Sequence, residues 1–121
     1  MRITNAFLAE SAAVADGKLT VRGGFLRYYR AGLDRVATVT LVVFTQADTG
    51  DTRPEITVGL TTPTGDCQTQ QVTLPAAARA GEVSFAGWPL WLPVEINGEY
   101  LVTVHTDETS VTLKLTVSGD D

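Results

Sequence analysis

The segment from Asn97 to Val117, NGEYLVTVHTDETSVTLKLTV, has the alternation of a β-hairpin and constrains how the rest of the chain folds. Apolar residues occupy every second position on both sides of a turn at residues 107–110, so each predicted strand has one apolar face. An isolated hairpin is only marginally stable in water, and its apolar face must be covered by a second layer. The segment therefore predicts a β-sandwich.

Length and composition favour one all-β domain over residues 1–121. A chain of 121 residues has the usual size of a single domain, and its many Thr and Val residues favour extended backbone. We predict an antiparallel β-sandwich of about eight to nine strands, immunoglobulin-like or C2-like. Gly98-Glu99-Tyr100 is similar to the tyrosine corner of immunoglobulin-like sandwiches, so the Tyr100 hydroxyl is expected to be hydrogen-bonded to backbone.

Charge and cysteine content narrow the partners and the compartment. A net charge of -5 disfavours nucleic acid and anionic membranes as partners, because both require a positive field. No apolar run approaches the roughly 18 residues of a membrane-spanning helix, and the N-terminal residues fit a strand better than a signal peptide. Cys67 is the single cysteine, which excludes an intramolecular disulfide and favours a cytoplasmic location.

Two segments are apolar on both faces, Ile3–Val14 and Val36–Ala47, and are predicted to be central strands. Gly23-Gly24 is interpreted as a bulge inside a strand that resumes at Phe25, because no phosphate-binding spacing accompanies it. The Gln-rich strand from Cys67 is predicted at a sheet edge. Three further predictions are a positive φ at Gly17, a helical turn over Pro75–Gly81 and an irregular apolar segment over Trp88–Pro93.

The segment Asn5–Gly24, NAFLAESAAVADGKLTVRGG, resembles the opening of a family of small bacterial proteins of unknown function. In that family a strand ending near an acidic-Ser pair is followed by a DGKL turn and a Gly-Gly step. The resemblance implies a β-sandwich. It implies no activity, cofactor or partner.

Arginine and aromatic residues gather at one end of the sandwich in the predicted strand order. These residue types are enriched at binding hot spots. The tryptophans are equally compatible with plugging an open end of the sandwich, whereas adjacent tyrosines in a strand face opposite sides, so one points outward. We predict a contact surface for another protein or a second copy. Its residues are Arg27, Tyr28, Tyr29, Arg30, Arg35, Trp88 and Trp91.

Acidic residues gather at the opposite end of the sandwich if consecutive strands are antiparallel and Gly23-Gly24 is a bulge. Carboxylate-rich loops can hold calcium, although acidic residues are also common in solvated turns and no EF-hand spacing is present. A calcium-dependent binding module is therefore an alternative. Its candidate ligands are Asp16, Asp48, Asp51, Asp107 and Glu108.

Catalytic chemistry has little support in the sequence. His105 is the single histidine and lies on the polar face of its predicted strand, without a second histidine or cysteine at ligand spacing. A nucleophilic pair with Cys67 would require two separate strands to meet. We expect a non-enzymatic interaction or structural module without a cofactor, acting through the Arg-Tyr-Trp end or an edge strand, with an enzyme built around His105 as a second alternative.

Overall fold

The computed structural model describes residues 2–16, 18–46, 55–73, 83–106 and 109–119. Within these ranges the chain forms ten strands and no helix, which confirms the all-β prediction. The strands are β1 Arg2–Ala9, β2 Ser11–Ala15, β3 Lys18–Arg22, β4 Tyr28–Ala31, β5 Val36–Gln46, β6 Glu55–Thr61, β7 Cys67–Thr73, β8 Val83–Pro93, β9 Gly98–His105 and β10 Ser110–Gly119. In this part of the chain no helix is long and apolar enough to cross a membrane.

The strands form two facing sheets and a separate hairpin. A five-stranded sheet has the order β4-β10-β9-β6-β7, a three-stranded sheet has the order β1-β5-β8, and β2 pairs with β3. Buried side chains of both sheets share one core, which includes Leu8, Leu41, Ile56, Val102 and Leu115. The sandwich prediction is confirmed, but the described ranges contain ten strands instead of eight or nine, because two predicted strands are each divided.

The first division occurs at Glu10 and changes the position of the first strand. β1 is an edge strand of the three-stranded sheet, so the prediction of a central strand is wrong. Its two apolar faces have another cause, because the β2–β3 hairpin folds over the outer face of this sheet. Phe7 and Ala9 are buried there against Val42 in a second small core, whereas Leu8 faces the main core. β5, the other predicted central strand, does lie between two neighbours.

The second division occurs after β3, at Gly23-Gly24. Gly23 has φ of 62° and Phe25 has φ of 56°, so the chain bends away from the hairpin and no strand resumes at Phe25. Leu26 N–H then donates a hydrogen bond to the carbonyl of Leu8 over 2.7 Å, outside β1. The bulge interpretation is therefore wrong, since this segment carries the chain from one sheet to the other.

β4 pairs with β10 in parallel, with Tyr28 opposite Thr116, so the sandwich is not wholly antiparallel. A tight hairpin would force antiparallel pairing. β4 is reached by a connection from the other sheet, so parallel pairing with β10 is possible. The predicted clustering of the acidic loops also assumed that Gly23-Gly24 is a bulge within one strand. That assumption is wrong, because β3 and β4 belong to different sheets.

The apolar segment Trp88–Pro93, predicted to be irregular, belongs to β8 and pairs with β5 along its whole length. Proline removes a backbone donor, and in a sheet it is confined to edge strands whose N–H side faces outward. β8 is such an edge strand, and Pro89 and Pro93 are both exposed. The two prolines are therefore compatible with a continuous strand, and the prediction of an irregular segment is wrong.

The final hairpin follows the predicted alternation. β9 and β10 pair with His105 opposite Ser110, and Tyr100, Val102 and Val104 are buried. Tyr100 is 1% exposed, and its hydroxyl donates a hydrogen bond to the carbonyl of Ile96 over 2.7 Å. This confirms the predicted backbone contact of the tyrosine. The predicted helical turn at Pro75–Gly81 and the predicted φ of Gly17 lie outside the described residues, while the adjacent Asp16 has φ of 53°.

Tyr100→Phe is expected to lower the free energy of unfolding by about 1 to 2 kcal/mol, because the part-buried hydrogen bond to the carbonyl of Ile96 is lost while the ring still fills the core. Urea denaturation followed by circular dichroism measures this difference. Tyr28→Phe, at an exposed tyrosine of β4, is the matched control and should leave stability unchanged. Equal stability of Tyr100→Phe and the parent protein would contradict a stabilising role for this hydrogen bond.

Candidate functional site

The exposed members of the predicted Arg-Tyr-Trp surface lie on different faces of the sandwich. Tyr28 is 72% exposed, and it alternates in β4 with Tyr29, which packs against the main core. Tyr28 and Arg30 therefore lie on the outer face of the five-stranded sheet. Trp91 is 67% exposed and alternates in β8 with the buried Leu90 and Leu92, so it lies on the outer face of the other sheet. These residues do not form one continuous patch.

Two aromatic residues of the predicted contact surface, Tyr29 and Trp88, make contacts within the sandwich. The Tyr29 hydroxyl accepts a hydrogen bond from Thr38 N–H over 3.3 Å, beyond the last residue of β1 that pairs with β5. Trp88 lies on the inward side of β8 and packs against the main core. Both side chains therefore have structural contacts.

Arg35 is held by contacts inside its own chain. Its Nε donates to the carbonyl of Val94 over 2.9 Å, and its Nη2 donates to Oδ1 of Asn97 over 2.8 Å. Asn97 in turn donates to the carbonyl of Gly119 over 3.1 Å. A Cβ at Gly119 would lie 2.5 Å from Arg35 Nη1, so this glycine makes room for the guanidinium. Arg35 therefore links three chain segments at one end of the sandwich.

Arg27 lies in a different setting, beside an apolar groove of about 290 Å³ between β1 and β10. The groove is open to solvent, and its most exposed apolar side chain is Phe25, which is 67% exposed and stacks on Phe7 with ring centroids 4.8 Å apart. We call this feature the β10 groove. Its lining residues are Ala6, Phe7, Leu8, Phe25, Leu26, Arg27, Thr112, Leu113 and Lys114.

One wall of the β10 groove is a strand edge that no other described strand covers. β4 pairs with β10 only from Thr116 onward, and before that point the chain turns toward β1. Thr116 N–H donates to the carbonyl of Arg27 over 2.8 Å. Because alternate residues of a strand direct their backbone groups to the same edge, the even-numbered residues of β10 direct their N–H and C=O groups away from β9. Thr112 and Lys114 therefore direct these groups into the groove.

Phe25, Thr112, Leu113 and Lys114 were not predicted as site residues from the sequence. Phe25 was assigned to a strand, and the residues of β10 appeared as ordinary members of a hairpin. The one available signal was Gly23-Gly24, because a chain that leaves a strand at two glycines can leave a neighbouring strand without a partner. The length over which β4 covers β10 depends on tertiary pairing.

Of the predicted calcium ligands, Asp16 lies within the described residues. Asp16 is exposed in the turn between β2 and β3, whereas Asp48, Asp51, Asp107 and Glu108 lie outside the described residues. Among the residues that are described, no group of three or more His, Cys, Asp or Glu side chains is arranged to hold a metal ion. Calcium binding stays a prediction.

His105 and Cys67 are both exposed and lie on different strands. In the sheet His105 is opposite Thr57 of β6, and Cys67 is opposite Thr61 of the same strand. Four residues along β6 separate the two by about 13 Å, and the two side chains lie on opposite sides of that strand. The pair is therefore too far apart to act as nucleophile and base.

Comparison with models of known protein families finds no match, and a search of curated proteins finds none either. The resemblance of Asn5–Gly24 to a family of bacterial proteins stays a prediction. The β10 groove and the exposed strand edges are therefore the features of the described residues that indicate a function.

Proposed function

We propose that the protein is a non-enzymatic β-sandwich module that binds an extended segment of another polypeptide along the β10 groove. The observation that carries this proposal is the free edge of β10 beside an apolar groove. An extended segment that adds to a sheet edge gains main-chain hydrogen bonds, and pockets for alternate side chains supply specificity. Thr112 and Lys114 offer the main-chain groups, and Phe25 with Leu113 offers the apolar surface.

Charge at the groove favours an acidic segment. Among the described residues the Arg27 side chain has no hydrogen bond or ion pair, and Lys114 has only a 4.0 Å contact with Glu99 on the solvent-exposed face. Exposed ion pairs of this kind contribute little to stability, so both cations are available to a ligand. We infer that the bound segment alternates apolar residues with at least one Asp or Glu near Arg27.

The single cysteine, Cys67, supports a proposal about the cellular compartment. Cys67 is a free and exposed thiol at the start of β7. An exposed thiol persists more readily in a reducing environment, and this supports a cytoplasmic location.

The binding proposal is tested with a displayed library of seven-residue peptides and with NMR titration of an acetylated peptide in which Val alternates with Glu. The library should enrich alternating apolar and acidic sequences, and the titration should shift the amide signals of Thr112 and Lys114. Arg27→Ala is expected to weaken binding about tenfold through loss of a charge-assisted contact. Thr112→Pro should abolish binding, because it removes an outward donor without touching the bonds to β9.

The matched peptide control alternates Val with Lys and should bind at least about tenfold more weakly. Equal binding of both peptides would contradict the inferred acidic ligand. An absence of enrichment, or shifts confined to another surface, would contradict binding at the β10 groove.

The amide protons of β10 are expected to exchange with solvent in an alternating pattern. Thr112 and Lys114 should exchange at least about tenfold faster than Val111 and Leu113, because the latter two residues direct their N–H groups to β9. NMR-detected hydrogen exchange on the free protein measures this difference. Equal protection at all four residues would mean that the edge is already covered.

A further inference from the structure

The edge strands of the sandwich differ in how they are protected from pairing with another chain. The edge of β1 that faces away from β5 is covered at Leu8, whose carbonyl accepts a hydrogen bond from Leu26 N–H. On β8, donors that face away from β5 belong to alternate residues, and Pro89 and Pro93 remove two of them. Prolines on an edge are a common protection against unwanted strand pairing.

Within the part of the chain that the structure describes, β7 has none of these protections. Its seven residues, CQTQQVT, contain no charge and no proline, and they pair with β6 in an unbroken register from Cys67 to Thr73 without a bulge. It is the outermost strand of the five-stranded sheet, at the side opposite β4. Long, regular and uncharged edges of this kind are templates for pairing with another strand.

The turn before β7 determines which of its backbone groups are free. Thr62 N–H donates to the carbonyl of Asp66 over 2.8 Å, so these two residues form a hydrogen-bonded pair. Because such pairs alternate along an antiparallel ladder, even-numbered residues of β7 bond to β6. The odd-numbered residues direct their N–H and C=O groups outward. They are Cys67, Thr69, Gln71 and Thr73.

We propose that the protein forms a two-fold symmetric dimer in which β7 pairs antiparallel with β7 of a second copy, centred on Gln70. This register places Cys67 opposite Thr73 and Thr69 opposite Gln71 of the other copy. Each odd-numbered residue donates one N–H and accepts one, which gives about eight main-chain hydrogen bonds across the interface. The two five-stranded sheets then form one continuous sheet of ten strands.

The residue on the symmetry axis identifies a second copy as the occupant of the edge. On a two-fold axis a side chain meets its own copy, and a charged residue there would be repelled. Gln70 has an amide that both donates and accepts, so it can bond to itself across the axis. Because β7 carries no charged residue, no like charges of this strand meet in the symmetric pairing.

Dimer formation leaves the proposed peptide site free. β7 and β10 lie toward opposite sides of the five-stranded sheet, so the dimer presents one β10 groove at each far end. The two proposals are therefore independent, and either can fail without the other.

The dimer is tested by sedimentation equilibrium and light scattering over protein concentrations from about 5 to 500 μM. The mass should rise from 12.9 kDa toward twice that value with concentration. Gln71→Pro removes an outward donor and should hold the protein as a monomer. Thr112→Pro, the same substitution at the edge of β10, is the matched control and should leave the dimer intact.

Charged substitutions at Gln70, on the two-fold axis of the dimer, test the proposed register. Gln70→Lys and Gln70→Glu should each reduce association at least about tenfold through repulsion of like charges. An equimolar mixture of the two variants should recover a dimer that contains one copy of each. Circular dichroism should give all variants the melting temperature of the parent monomer, since Gln70 is exposed. A monomer at all concentrations, a dimer that Gln71→Pro leaves intact, or a mixture that associates no better than either variant would overturn the proposal.

Discussion

Leu41→Ala is expected to lower the free energy of unfolding by about 3 kcal/mol, because it empties the centre of the main core. Leu41 is fully buried on β5, opposite Leu8 of β1 on one side and Trp88 of β8 on the other. Both neighbours are fixed by strand pairing, so the core cannot easily collapse into the space left by the lost side chain. A domain is typically stable by only about 5 to 15 kcal/mol, and the loss is therefore a large fraction of the total.

The Leu41 prediction is measured by urea denaturation, with the midpoint expected to fall while the slope stays unchanged. Thr38→Ala is the matched control, because Thr38 lies on the same strand and is exposed. It should change stability by less than about 0.5 kcal/mol. Similar losses for both variants would contradict the assignment of Leu41 to the centre of the core.

Arg35→Ala is expected to lower the free energy of unfolding by about 2 kcal/mol through loss of charged hydrogen bonds to Val94 and Asn97. Arg35 also has φ of 53°, a conformation that costs a non-glycine residue about 1 kcal/mol. Arg35→Gly loses the same hydrogen bonds but relieves the backbone, so it should be less destabilising than Arg35→Ala. The difference between the two variants separates the backbone contribution from the side-chain contribution.

The control for Arg35 is Arg27→Ala, whose side chain has no partner among the described residues. It should change stability by less than about 0.5 kcal/mol while weakening peptide binding. Arg35→Ala should behave in the opposite way, with a large loss of stability and unchanged binding by the protein that remains folded. An unchanged melting temperature for Arg35→Ala would contradict the structural role and return this residue to the predicted contact surface.

Much of the sandwich could be predicted from local alternation. The inward residues of β5 and β9 and the polar outer face around His105 follow from which positions are apolar. The edge position of β7 follows from its glutamine content. A side chain's face depends on its parity within one strand, and parity can be read from a few neighbouring residues. The Tyr100 contact with Ile96 is also local, since four residues separate the two.

The candidate site could be predicted only in part, because it depends on where strands stop pairing. Arg27 was selected from its residue type, but the groove beside it exists because the chain turns at Phe25 toward Leu8 and leaves the first half of β10 paired only with β9. Arg35 was selected for the same reason, and its contacts with Val94 and Asn97 lie far away in sequence. Residue type alone does not distinguish an arginine that is available to a ligand from one that is hydrogen-bonded within the fold.

The sequence by itself determined the all-β class, the faces of the strands and the final hairpin, because these depend on alternation and turn residues within a short stretch. The tertiary structure decided the neighbours of each strand. It made β1 an edge strand covered on both faces, brought β4 parallel to β10 and turned Trp88–Pro93 into a strand. These outcomes depend on which distant segments compete for the same strand edges, and a pattern within one segment does not contain that information.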